Sequence, residues 1–384
     1  MSYSGTVVSG ERIGWIDTLR VLACLMVVFS HCCDGFVAQF DSNYTTFLTG
    51  VFAGSLFRPS VPLFVMMTGV LLLPGRADES MASFYRRRVG RLITPLVFWS
   101  LALPIVAYLY FTGVGAGSTN PSVDMAAYTS VGLVNRLWSW VLNFNFDTTP
   151  LWYLYMLIGL YLIMPVVGAW LRQAQKKDIR TFLYVWGLTL LAPYIKLLAP
   201  TVGYLGNYGN MDIFGGCDWN AYTMVHYVSG FIGYIVLAYY LKTYPIEWSP
   251  RKMMYIFVPM FTIGYAITSV GFVTIQEYHP GDYAYLEVIW LFTGINVFMM
   301  TMPVFVVMQR FCGKARECMS KLAGLTFGIY LSHFFFVMVG YDLFNIDGLP
   351  VVVRIVATGC TVFAVSALLT WLLSLNKLTS KLVK

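Results

Sequence analysis

Charge is what this sequence has least of. Only 11% of its 384 residues are Asp, Glu, Lys or Arg, against about 25% in soluble domains. With 58% hydrophobic residues and a mean hydropathy of +0.68, that shortage excludes an ordinary soluble globule and points to a polytopic membrane protein. Histidine is scarcer still. His31, His226, His279 and His333 are the four in the chain, too scattered to make a metal site. The seven cysteines contain no CxxC, so neither zinc nor a disulfide scaffold is indicated. Cys32, Cys33 and Cys217 fall on one expected side of the membrane, where a disulfide stays open. No internal repeat is evident, which disfavours an inverted-repeat transporter. Val21-Leu22-Ala23-Cys24 resembles a lipoprotein cleavage box, but Asp17 and Arg20 interrupt the apolar core that box requires, so no cleaved signal is expected.

What is present is apolar runs of spanning length. Ten are expected, at about 14–36, 55–74, 92–113, 150–171, 181–199, 221–241, 253–274, 286–309, 322–341 and 350–375. The fold class is therefore an all-α membrane bundle. The second span begins with Arg58, Pro59 and Pro62 and is expected to enter as a broken helix. The cationic residues set the orientation. Twenty of the 25 lysines and arginines, Arg12 and Lys314 among them, fall in one alternating set of segments. The positive-inside rule then puts both termini in the cytoplasm. It also explains the net charge of +7 without a nucleic-acid partner. On the other side, 37–54 and 114–149 read as outer segments. Val134–Phe144, with Trp138 and Trp140, reads either as an amphipathic interfacial helix or as an aromatic belt.

Four constellations stand out against the apolar background. In the first span, Arg20 and His31 are eleven positions apart, about 20° past three full turns, and so share one helix face with a rise of roughly 16 Å. Ionisable residues in a span are costly and mark function. Asp34 lies three residues past His31, where a carboxylate can hold an imidazole in one tautomer; Asp17 can pair with Arg20. The second constellation is a loop, Tyr85–Pro95, whose Arg88 and Arg91 lie one turn apart beside the membrane. They suit a phosphate as well as they suit a topology signal. Arg58, at the broken start of span two, and His333, in span nine, are the third and fourth. Gly69 allows close helix packing.

Together these residues resemble the acyltransferase-3 family of membrane O-acyltransferases. Trp15-Ile-Asp-Thr-Leu-Arg20 with His31, Ser60-Val-Pro-Leu-Phe64, Arg88-Val-Gly-Arg91, Leu151-Trp-Tyr-Leu154 with Pro165, and Ile329-Tyr-Leu-Ser-His333 occur in the family's order. The stretch around Arg58–Phe64 looks particularly like the enterobacterial common antigen O-acetyltransferase subgroup. The resemblance implies a single integral-membrane domain over 1–384 with no soluble outer domain, in the cytoplasmic (inner) membrane. It implies transfer of an acyl group, usually acetyl from acetyl-CoA, to a hydroxyl of a surface or lipid-linked glycan. Neither a metal nor a nucleic acid enters that scheme, and a homo-oligomer stays open. His31 and Asp34 would be catalytic, Arg20, Arg88 and Arg91 would hold acyl-CoA, and Arg58 and His333 would meet substrate. A secondary transporter of a glycan precursor or small solute is the competing class.

Overall fold

Every expected span is a helix. In the computed structural model, which describes residues 13–139, 142–203, 223–313 and 315–384, the chain is 78% helical, and among the described residues there is no strand. Among the described residues ten stretches are long and apolar enough to cross a membrane. Span one is α1 (Gly14–Cys32) continued by the short α2 (Asp34–Val37), and span two is α3 (Tyr44–Leu56) plus α4 (Ser60–Leu72). Span three is α5 (Met81–Thr112), followed by the non-spanning α6 (Ser130–Ser139). A 3₁₀ turn, Phe146–Leu151, leads into α7 (Trp152–Gln173); α8 (Lys176–Thr189) and α9 (Ala192–Leu198) form span five. The second half supplies α10 (Ile232–Thr243), α11 (Pro250–Tyr278), α12 (Tyr283–Trp290) with α13 (Ile295–Phe311), α14 (Glu317–Ala323), α15 (Thr326–Phe344) and α16 (Val351–Ser374). Arg12, Trp140, Cys217 and Lys314 lie outside the described residues, and with Cys217 goes any pairing to Cys32 or Cys33, whose thiols are free.

Burial separates centre from periphery. More than half of spans one, two and nine is buried, against 17% of span five and 28% of spans seven and ten. So α1 sits at the middle, packed on α4, α15, α14 and α16. The peripheral helices turn large apolar side chains such as Leu188, Val258 and Leu368 outward. In lipid that is the expected distribution, because a hydrocarbon solvent does not penalise exposed apolar surface.

Two boundaries differ from the sequence reading. The supposed outer segment 37–54 is mostly helix: α3 starts at Tyr44, with the Asn43 side chain capping the Thr46 amide. The supposed loop 85–95 lies inside α5, which starts at Met81 under a Ser80 cap. A hydropathy window follows apolar runs, whereas a helix follows its backbone hydrogen bonds until a cap or a breaker stops it.

Span two is broken as expected, between Leu56 and Ser60. Span eight is broken as well, between Trp290 and Ile295. Interrupted backbone at membrane depth needs partners for its polar groups, and the span-eight break finds them from three directions. Asn296 Nδ2 donates to the Ile289 carbonyl at 2.6 Å, Arg58 Nη2 donates to the Trp290 carbonyl, and the Tyr234 hydroxyl donates to the Phe292 carbonyl at 3.0 Å. The two breaks are thus tied together by Arg58.

Close packing of α4 on α10 rests on one glycine. A Cβ at Gly69 would sit 2.5 Å from the Ile235 carbonyl oxygen and 2.8 Å from its Cα, and backbone cannot step aside as a side-chain tip can. Gly69→Ala is expected to destabilise the protein by about 1–3 kcal/mol. Thermal unfolding of the detergent-solubilised variant reads this directly; an unchanged midpoint would show that the two helices are free to separate.

Candidate active site

His31 occupies the last turn of α1, where an imidazole gains from the negative end of the helix dipole. The helix stops at Cys33 and Asp34 opens α2. Despite that break the i, i+3 relation survives: His31 Nδ1 donates to Asp34 Oδ2 at 2.8 Å. This bond leaves the His31 Nε2 lone pair as the free position of the neutral ring. Both side chains are partly exposed. They line a small cavity of about 30 Å³ with Asn120, Ser122 and Phe146. Gly35 makes this tight wall feasible, since a Cβ there would lie 2.6 Å from the Tyr341 ring and 2.9 Å from Asn120 Oδ1.

Asp34, Ser122 and Phe146 also line a second, far larger chamber of about 1020 Å³, so the two cavities adjoin at Asp34. Arg58 lines the large chamber. Its guanidinium is wedged between two rings, 4.9 Å from the centroid of Trp290 and 4.1 Å from that of Phe292. Phe272 stacks on Trp290 at 4.2 Å, and Trp152 stacks on Phe292 at 5.5 Å. Four rings thus cluster around the cation, and the faces of Trp290 and Phe292 stabilise it. Asp34 and Glu287 are the carboxylates whose field reaches Arg58.

His333 lies behind His31 and not in either cavity wall. It is fully buried, with the ring centroids 5.4 Å apart. Its Nδ1 donates to the Tyr330 carbonyl at 2.6 Å, and Nε2 is buried with no partner. Residues 13–371 match the family model described as "Acyltransferase domain", Acyl_transf_3. The chain belongs to the acyltransferase-3 family. No curated protein and no solved structure matches it. As an acyltransferase-3 protein with ten spanning helices, it is a multi-pass membrane acyltransferase.

In this acyltransferase-3 chain Arg20, Arg88 and Arg91 line neither of the two cavities at His31 and Arg58. Arg20 lies 3.7 Å from Asp17, whose other oxygen accepts a hydrogen bond from Ser320 at 2.8 Å. Arg88 and Arg91 both project their charge onto Tyr161 of α7, while Arg20 projects onto Tyr153 two turns earlier on the same helix. Neither described cavity reaches any of the three.

Several contributors carried no local signal. Glu287, Trp290 and Phe292 join Arg58 across more than 220 positions of sequence. Asn120 and Ser122 come from the segment 114–149 and line the small cavity with His31. Their loop is held by Asp342, which accepts from Ser118 at 2.7 Å and from the Tyr110 hydroxyl at 3.0 Å. The segment 114–149 holds the helix α6, along which Val131, Val134 and Trp138 are exposed, a pattern common to an interfacial helix and an aromatic belt.

Proposed function

We propose that this protein moves an acetyl or other short acyl group from acyl-CoA to a hydroxyl of a surface or lipid-linked glycan. The observation that carries the reading is the His31–Asp34 pair, set where a small cavity meets a chamber large enough for a sugar. Acyl-CoA approaches from the cytoplasm, the side of both termini and of most lysines and arginines, and the membrane is the inner one. Arg88 and Arg91, with Arg20, hold the nucleotide phosphates, and the thioester arm runs along the first helix over the roughly 16 Å to His31.

The acceptor hydroxyl attacks the thioester carbonyl carbon while His31 Nε2 takes its proton. Asp34 stabilises the imidazolium so formed. When the tetrahedral intermediate collapses, the ester forms, the carbon–sulfur bond breaks and His31 returns the proton to the departing CoA thiolate. Arg58 orients the acceptor from the chamber wall, while His333, expected from sequence to meet substrate, is buried behind His31 and supports that ring instead. The likeness of Arg58–Phe64 to the enterobacterial common antigen O-acetyltransferase subgroup supports acetyl as the group and a cell-envelope polysaccharide as the recipient.

The test uses membranes carrying the protein, incubated with labelled acetyl-CoA. Release of CoA with labelled glycan is the expected result. Solute flux without thioester consumption would replace this reading by a secondary transporter. For the donor side, Arg88→Ala is expected to weaken acyl-CoA binding about tenfold or more, the worth of a charge-assisted hydrogen bond. Unchanged affinity would return the arginine cluster to a purely topological role.

A further inference from the structure

The wall of the large chamber has a composition that the acyl-transfer chemistry does not require. Among the described residues Asp34, Asp41 and Glu287 line it, and Arg58 is the one guanidinium. That cation is covered on both faces by rings and already donates to the Trp290 carbonyl. Two donors at the wall, Arg58 Nε and Trp290 Nε1, are buried without partners. The carboxylates and Gln276 supply acceptors. Unpaired donors beside acceptors, on a wall that is otherwise mostly apolar, match groups that both give and take hydrogen bonds. Sugar hydroxyls are such groups.

The charge balance narrows the sugar. Three carboxylates against one guanidinium leave the wall negative. The surroundings deepen that field. By the order of the spans, eleven acidic residues fall at the His31 end of the bundle against four basic ones, Arg58, Arg136, Lys196 and Arg354. Asp212 and Asp218, two of the eleven, belong to segment 204–222, outside the described residues. In a low-dielectric cleft like charges are weakly screened, so an anion entering it is repelled.

We infer that the chamber takes a sugar residue without negative charge and rejects anionic sugars such as uronic acids. This rests on the acyltransfer reading for its meaning, but its test stands apart. The full-length protein in lipid nanodiscs is titrated with methyl glucoside and methyl glucuronide, which differ only in a C6 carboxylate, and binding is followed by saturation-transfer NMR. His31-dependent CoA release from labelled acetyl-CoA is measured in parallel.

The glucoside is expected to bind at least about tenfold more tightly than the glucuronide. Glu287→Lys, at an exposed position, is expected to narrow that ratio about tenfold, and Asp41→Lys to act in the same sense. Equal or tighter glucuronide binding overturns the inference, as does a ratio that neither variant moves. So does a lack of binding by both glycosides. If CoA release persists in any of these cases, the acyltransferase reading survives and only the acceptor class falls. If CoA release does not depend on His31 while the binding ratio holds, the reverse is true.

Discussion

Replacing His31 by alanine is expected to lower acyl transfer by about 10²–10⁴-fold, the usual worth of a positioned general base. Insertion and thermal stability should barely change. The ring is partly exposed at the end of α1, and its truncation leaves Asp34 with solvent on one side and no buried orphan charge. Asp34→Asn separates the two roles within the pair. An asparagine still reaches Nδ1, but its carbonyl does not stabilise the imidazolium as a carboxylate does, and its amide can instead impose the wrong tautomer. Its loss should therefore fall on turnover more than on acyl-CoA affinity. The readout is labelled acetyl transfer by purified protein, with unfolding midpoints beside it. Transfer at the native rate by His31→Ala would remove the histidine from the chemistry altogether.

That prediction joins residues close in sequence, and such features were the legible ones. The ten spans follow from apolar run length, because lipid leaves so few alternatives to a helix. Arg20, His31 and Asp34 could be placed on one face by helical arithmetic alone, and the 2.8 Å contact needs only an i, i+3 spacing that tolerates the break at Cys33. The break at Arg58 was readable because Pro59 and Pro62 announce it. The matching break in span eight was not. Its only local signs are Thr293 and Gly294 inside an apolar run, and glycine is common in spanning helices for other reasons.

Arg58 shows the limit most clearly. Sequence assigned it to substrate, on its outer position and irregular backbone. The structure gives its faces to Trp290 and Phe292 and one donor to a helix-terminal carbonyl. An arginine so occupied has only its remaining edge for a ligand. No spacing rule finds such a cluster, since its members come from four different spans. The same holds for the loop at the small cavity. Asn120 and Ser122 sit in a polar segment between two spans whose sequence gives no sign of lying beside His31. Long-range packing decides it, through Ser118, Tyr110 and Asp342.

The largest stability effect is expected where sequence gave no hint, at Arg136 and Asp147. Asp147 has a fully buried side chain, and Arg136 is nearly so. Arg136 Nη1 donates to Asp147 Oδ2 at 2.8 Å, and the Tyr128 hydroxyl donates to Oδ1 at 2.6 Å. The guanidinium also covers the Tyr128 ring at 4.3 Å. Burial, and then the Asp147 charge, hold the Tyr128 phenol well above its ordinary pKa, so it stays protonated and keeps donating. Arg136→Ala leaves a buried carboxylate with a neutral donor only. Breaking a buried pair in this way costs about 3–5 kcal/mol. Replacing both partners, as in Arg136→Met with Asp147→Leu, should recover much of that loss, because no charge is then stranded. Activity should fall with stability in the single variant, since Asp147 belongs to the 3₁₀ turn that presents Phe146 to both cavities and the Pro150 carbonyl to Tyr330. Tyr330 in turn holds His333 through its own carbonyl. Unfolding midpoints and acetyl transfer for the single and double variants settle the matter: a single variant as stable as the parent would mean that water or another cation reaches Asp147, and that the turn is held by its Asn145–Thr148 capping box alone.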